Sequence, residues 1–242
     1  MKTVVVLPTF NEKENIARLI SEIFKIVPEV FVLVVDDNSP DGTAKIVEGL
    51  KEKYPRLSLL LRKKKEGLGK AYLHGFSETL KEKGVERIVM MDADFSHAPA
   101  YLPSMLEASK KYDLVIGSRY IKSGGTVGWE LWRRLLSRGG NIYCRLVLGM
   151  PISDFTTGFS VLNAKLLRRI DLFNMDLSGY AFLIELKYRL WKAGASVKEI
   201  PIIFKNRTDG KSKLSGHIIG EGVLGPWKMI LKKTKGVQSN LK

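Results

Sequence analysis

Asp92 and Asp94 stand one residue apart, directly after the apolar run Ile88-Val89-Met90-Met91. Two carboxylates at the end of a buried segment can serve as a helix cap or a solvated turn. They can equally serve as hard oxygen donors for a divalent cation, Mg²⁺ or Mn²⁺. The pair by itself leaves both readings open. Three more polar clusters have the same setting: Thr9-Phe10-Asn11-Glu12, Asp36-Asp37-Asn38-Ser39 and Ser118-Arg119 each close an apolar run.

The elements that must position these groups alternate. Residues 2–8 read as a buried strand, and residues 12–27 as a helix with Ile16, Leu19, Ile20 and Ile23 at helical spacing. Strands at 31–35, 57–61, 87–91 and 114–117 are separated by helices at about 43–53, at 68–83 and before residue 114. Nearly all-apolar strands in this alternation predict an α/β fold with a mostly parallel, Rossmann-like sheet covered by helices on both faces. In such sheets ligands bind beyond the carboxyl ends of the strands. All four polar clusters fall on that edge, which makes a nucleotide-type site the leading reading. The second half is less regular: a helix within 129–148, a strand at 155–162, a helix at 180–193 and an extended segment at 196–204 interrupted by Pro201. The expected organisation is a single catalytic domain over residues 1–215 and a basic amphipathic tail over 216–242.

Composition bounds the partners. The chain has 242 residues, enough for one large domain with a substantial core. Its one cysteine, Cys144, excludes an intrachain disulfide, and its 3 histidines disfavour a His/Cys zinc site. No apolar run approaches the roughly 20 residues that span a bilayer, and residues 1–8 lack a signal-peptide pattern. The expectation is a soluble or peripheral protein. A net charge of +15 favours anionic partners: nucleic acid, anionic lipid or phosphorylated substrates. No nucleic-acid-binding motif accompanies the charge, and the aromatics do not interleave with the basic runs. Glu66-Gly67-Leu68-Gly69-Lys70 imitates a P-loop but lacks its first glycine and the following Ser or Thr, so it reads as a helix start with a glycine turn.

The ordered set Pro8-Thr9-Phe10-Asn11-Glu12, Asp36-Asp37-Asn38-Ser39-Pro40-Asp41-Gly42-Thr43, Gly67-Leu68-Gly69 and Asp92-Ala93-Asp94 resembles family 2 glycosyltransferases of the GT-A fold. Gly117-Ser118-Arg119-Tyr120, Gly179-Tyr180 and the run from Arg207 to Leu214 resemble its polyprenol-phosphate hexosyltransferase branch, of the dolichyl-phosphate mannose synthase type. The resemblance covers about residues 1–215. It implies inverting transfer of mannose from GDP-mannose to a polyprenyl (dolichyl) phosphate, with Mg²⁺ or Mn²⁺ as cofactor. Asp92 and Asp94 then match the DxD motif, Asp94 being the best metal ligand and Ser96 a second. Pro8, Phe10, Glu12 and Asp37 match the base and ribose cradle, with Asp92, Ala93 and Asp94 also on the donor. Arg207 and Lys213 match a loop closing over the donor diphosphate, Arg207 being counted with the catalytic Asp92 and Asp94. Arg119, Arg133 and Ser137 match positions near the acceptor phosphate.

Plainer roles stand beside these. Glu12 also suits a first-turn helix acid, while Asp36 and Asp41 suit loop shaping and capping. His97, beside Pro99, reads as structural. Glu185 either contacts the sugar or pairs with Lys187 or Arg189. Arg134, Arg138 and Arg145 read as surface charge, and the 129–148 segment as an interfacial helix or a core helix. The expected location is peripheral, at the cytoplasmic face of a membrane, through basic patches, the tail or a membrane-anchored partner. A UDP-glucose-dependent polyprenyl-phosphate glucosyltransferase is the rival within the class. A non-catalytic nucleic-acid- or membrane-binding protein is the rival outside it, and nucleic acid is not the expected partner.

Overall fold

A computed structural model of the chain describes residues 1–172, 174–175, 179–206 and 216–231, without the side chains of 216–223. The first half runs β1 (Lys2–Thr9), α1 (Lys13–Ile26), β2 (Phe31–Asp36), α2 (Thr43–Leu50), β3 (Leu57–Leu61), α3 (Leu68–Lys81), β4 (Val85–Met90), α4 (Leu102–Ser109) and β5 (Leu114–Ser118). The second half runs β6 (Gly125–Val127), α5 (Leu131–Leu148), β7 (Ser160–Asn163), α6 (Ala164–Leu167), α7 (Gly179–Lys192), β8 (Val197–Pro201), β9 (Ile203–Lys205) and α8 (Gly216–Leu231).

Period-two alternation builds the core. Val4 and Val6 of β1 share one apolar cluster with Tyr72 and Phe76 of α3. Val5 and Leu7 point the other way, into a second cluster with Ile16, Leu19, Ile20 and Ile23 of α1. A strand buried on both faces needs an apolar run, as Val4–Leu7 of β1 is. Full burial of each such aliphatic side chain contributes about 1.5–3 kcal/mol. These are the four helix residues whose spacing marked α1 in the sequence.

Seven strands form one sheet in the order β3-β2-β1-β4-β7-β5-β8, and β6 pairs with β9 in a second, two-stranded sheet. Only β7 runs antiparallel, to both β4 and β5. The chain leaves β1 toward β2 and β3 on one side, and β4 flanks β1 on the other. That reversal opens a crevice beyond the carboxyl ends of β1 and β4.

Two expectations are corrected in the second half. The strand expected at 155–162 is confined to β7, because backbone N–H groups at 153–157 bond to side chains rather than to a neighbouring strand. The segment at 196–204 is two strands in different sheets. Pro201 ends β8, an edge strand where a missing N–H is tolerated. Ile202 then donates its N–H to Ser118 and accepts the Gly125 N–H, carrying the chain across to β9.

Candidate active site

The loops at the carboxyl edge are shaped by side chains that bond backbone. β1 and β2 end in register, Thr9 opposite Asp36. Thr9 Oγ1 donates to Asp36 Oδ2 at 2.8 Å, and Asp36 Oδ1 accepts the Ser39 N–H at 2.8 Å. Asp41 accepts N–H groups of Thr43 and Lys13, tying the start of α2 to that of α1. Both carboxylates therefore shape loops. Non-glycine positive φ angles occur at Asn11 (61°), Asn38 (59°) and Phe95 (61°), one after each of β1, β2 and β4. Left-handed backbone at such residues costs free energy and concentrates at functional sites.

These loops enclose a cavity of about 460 Å³. Pro8, Phe10, Glu12 and Asp37 line it together with Asp92, Ala93, Asp94, Arg119 and Arg133. Glu12 is also the N-cap residue of α1, and its carboxylate accepts Asn15 Nδ2 at 3.0 Å. Asp37 is buried against the Arg62 guanidinium, whose second nitrogen reaches Glu66 at 2.9 Å. The Lys65 ammonium lies 3.8 Å above the Phe10 ring, at the cavity wall. Gly67, with φ of 99°, starts α3 as a turn, and the P-loop likeness ends there.

Asp94 Oδ1 accepts the Ser96 N–H at 3.0 Å and its hydroxyl at 2.6 Å, which fixes the carboxylate direction. The hydroxyl oxygen keeps lone pairs of its own while donating. The Asp92 N–H donates to His97 Nδ1 at 3.1 Å, while the Tyr72 hydroxyl stands 3.4 Å from Asp92 Oδ1. Burial, and then the Asp92 charge, push the Tyr72 pKa well up, so the phenol stays protonated. His97 is stacked on Phe159, and burial lowers its pKa despite the nearby carboxylates. A neutral ring accepting backbone at Nδ1 is structural, as the sequence suggested.

Gly158 faces the carboxylate pair from the loop before β7: a Cβ there would stand 3.3 Å from Asp92 Oδ1. Two hard carboxylates beside that gap fit a divalent cation. Among the described residues no group of three or more His, Cys, Asp or Glu side chains is placed to hold an ion. A cation here would therefore need oxygen ligands from elsewhere, which suits ions bound jointly with substrate phosphates.

On the other side, Arg119 is committed to Asp154: Nε donates to Oδ2 and Nη2 to Oδ1, both at 2.7 Å. Nη2 also donates to Thr156 Oγ1 at 2.7 Å. Burial opposes the Arg119 charge, but Asp154 outweighs it and raises the pKa further. Arg133 of α5 stacks 4.3 Å over the Trp129 ring. Ser137, one turn on, accepts the Tyr120 hydroxyl at 2.6 Å and is not among the cavity-lining residues. Glu185 pairs with Arg189, at 2.9 Å from Nε, and likewise does not line the cavity. Arg207 and Lys213 lie outside the described residues. Arg62, Lys65, Tyr72 and the 154–158 loop are part of the arrangement but were not singled out from the sequence. The one available signal was Asp154 with Thr156, Thr157 and Gly158, at the start of the segment read as a strand at 155–162.

The outer side of the molecule carries a different pattern. On α5, Leu131, Leu135, Ile142 and Leu146 share one exposed stripe at helical spacing, and exposed Arg134, Arg138 and Arg145 form the adjacent stripe. α8 packs against α5 and exposes Leu224, Trp227, Ile230 and Leu231 beside Lys228. Among the described residues no helix is long and apolar enough to cross a membrane.

The architecture is the GT-A glycosyltransferase fold. Glucosyl-3-phosphoglycerate synthase from Mycobacterium tuberculosis, solved with Mn²⁺, uridine diphosphate and glucosyl-3-phosphoglycerate, matches 96% of this chain and 80% of its own with a TM-score of 0.63. The same enzyme with Mn²⁺, UDP-glucose and glycerol 3-phosphate matches with a TM-score of 0.64. Identity is 17% in both, so the likeness concerns the fold. Residues 4–171 match Glycosyl transferase family 2, and the chain belongs to that family. An undecaprenyl-phosphate mannosyltransferase of Micrococcus luteus is 41% identical over 93% of this chain and 92% of its own. A polyprenol monophosphomannose synthase of Mycolicibacterium smegmatis is 43% identical over 92% of this chain and 84% of its own.

Proposed function

We propose that this glycosyltransferase transfers mannose, with inversion, from GDP-mannose to a polyprenyl (dolichyl-type) phosphate. One observation carries the reading: a single cavity joins the carboxylates of Asp92 and Asp94 to the guanidinium groups of Arg119 and Arg133. Carboxylates suit a cation-bound diphosphate, whereas arginines suit a second phosphate. The two relatives whose names include a polyprenyl phosphate and mannose, each matched over nine-tenths of this chain, support the choice of acceptor and sugar.

In this reading Pro8 and Phe10 flank the base, and Glu12 and Asp37 accept hydrogen bonds from base or ribose. Asp94 and Asp92, with Ser96 beside Asp94, hold Mg²⁺ or Mn²⁺, which supplies Lewis-acid neutralisation of the departing diphosphate. Arg133 holds the acceptor phosphate together with the edge of Arg119 that its pairing with Asp154 and Thr156 leaves for a ligand, and Ser137 supports that side through Tyr120. The family resemblance adds Arg207 and Lys213, which lie outside the described residues, as cations for the donor diphosphate. A phosphate monoester is largely dianionic near neutral pH, so its oxygen attacks the anomeric carbon without a protein base. The new C–O bond forms as the bond to the nucleoside diphosphate breaks, and GDP leaves. Positioning and charge neutralisation are what the side chains contribute. The apolar and basic stripes of α5 and α8 support peripheral attachment to the cytoplasmic face of an anionic membrane, where the lipid acceptor resides.

The test is transfer of label from GDP-mannose into an organic-extractable product, with dolichyl phosphate in detergent and Mn²⁺ or Mg²⁺. UDP-glucose is run in parallel. Mannose incorporation that is lost with EDTA is expected. Glucose incorporation instead would replace donor and sugar, and no incorporation from either would overturn the proposal.

A further inference from the structure

The loop between α5 and β7 has little backbone pairing of its own, and side chains from several elements hold it. Glu199 of β8 accepts the Ser153 and Asp154 N–H groups at 3.0 and 3.1 Å. Asn141 of α5 accepts the Phe155 N–H at 2.6 Å, and Asp154 accepts the Thr157 N–H at 3.1 Å. Those bonds satisfy donors. The loop's buried carbonyls need donors in turn, and Lys187 of α7 supplies them: Nζ donates to Phe155 O at 2.8 Å and to Thr157 O at 2.7 Å.

Lys187 is 2% exposed and is not among the cavity-lining residues. A buried ammonium gives up hydration that only charge or hydrogen bonds replace. Asp154 and Glu199 favour its charge and Arg119 opposes it, with the Cys144 thiol also close by. Burial dominates this balance and lowers the lysine pKa to about 7. Neutral or charged, the amine keeps donors for both carbonyls. The loop it bridges brings Thr156, Thr157 and Gly158 to the cavity. Thr156 bonds Arg119, and Gly158 stands against Asp92.

We propose that Lys187 is a positioning residue: by bridging the Phe155 and Thr157 carbonyls it clamps the 154–158 loop, and so sets Arg119 and Gly158 relative to the Asp92–Asp94 pair. The catalytic consequence rests on the transferase reading above, whereas the clamp itself does not.

The experiment compares the full chain with Lys187→Met, which removes the donors, and Lys187→Gln, which retains an amide donor. Amide hydrogen exchange is followed over residues 153–159 and over β1 and β2, alongside steady-state transfer well below the melting temperature. Lys187→Met should speed exchange in the loop about tenfold or more while leaving β1 and β2 unchanged. It should lower kcat about tenfold or more with GDP affinity held within about twofold, since small displacements of positioned groups are costly. Lys187→Gln should recover part of both effects. If Lys187→Met does not fold, the Gln variant carries the test with intermediate values of the same two readouts. Loop exchange equal to wild type, or acceleration shared equally by β1 and β2, overturns the clamp. Selective loop acceleration with unchanged kcat overturns its catalytic consequence. A wild-type protein that transfers nothing, with the loop still selectively loosened in the variants, overturns the transferase reading and leaves the clamp standing.

Discussion

Replacing Asp154 with Asn isolates what holds Arg119. Asp154 is 0% exposed and Arg119 6%, so solvent does little to screen the pair. The carboxylate accepts the Arg119 N–H, Nε and Nη2 as well as the Thr157 N–H. Asparagine keeps the shape but removes the charge, and turns one acceptor into a donor facing other donors. Removing one partner of a buried ion pair costs about 3–5 kcal/mol. At about 2–4 °C per kcal/mol for a chain of this size, the melting temperature should fall by about 6–20 °C. Scanning calorimetry near neutral pH measures it. The deficit should also depend on pH. Burial raises the Asp154 pKa, but the Arg119 charge and the hydrogen bonds outweigh it and leave the pKa lowered. The folded carboxyl therefore titrates below the unfolded one. Its stabilisation is present above the ordinary carboxylate range and is lost as pH falls through the folded value. The gap between wild type and Asp154→Asn should accordingly narrow in acid. A melting temperature within about 2 °C of wild type, or a gap that does not change with pH, would refute the reasoning.

Other predictions concern the two sides of the cavity and the outer surface. Arg133→Ala should raise KM for the lipid phosphate about tenfold or more, the worth of one charge-assisted contact, without changing GDP affinity; a loss of GDP binding would assign Arg133 to the donor instead. Lys187 has a folded pKa of about 7 against an ordinary 10.5. Between these values the unfolded chain holds a proton that the folded chain lacks, so this group adds stability as pH rises from about 7 to 9. Urea midpoints should show a rise in wild type that is smaller in Lys187→Met, and equal rises would contradict the assignment. Vesicles containing anionic lipid should sediment the protein, less so as salt rises toward 1 M, where screening acts within about 3 Å. A Leu135→Asp, Leu146→Asp double variant should bind them more weakly, and unchanged binding would remove α5 from the contact.

The first half of the fold was legible because β1, β2 and β5 are buried along most of both faces and the helices on one. Ile16, Leu19, Ile20 and Ile23 announce α1 by spacing, and each polar cluster announces a strand end. The second half hid for physical reasons. β7 is four residues long, and nothing in Ser160–Asn163 says that it inserts antiparallel between β4 and β5. The 153–157 loop satisfies its backbone largely through Asn141, Lys187 and Glu199, residues distant in sequence, so local pattern reads its 155–157 part as the start of a strand. Arg62 was not singled out, because its partner Asp37 lies 25 positions away. The carboxylate pair was visible, but its setting was not: Ser96 fixing Asp94, His97 holding the Asp92 backbone, and Gly158 leaving room beside it all require the folded chain.

The most direct measurement is calorimetric titration of GDP into the protein with Mn²⁺, without it, and into Asp94→Ala with it. The account predicts that GDP binds, that Mn²⁺ strengthens binding about tenfold or more, and that Asp94→Ala loses this increment while keeping the metal-free affinity. GDP binding indifferent to both Mn²⁺ and Asp94 would contradict the claim that the paired carboxylates hold a cation for a nucleotide diphosphate.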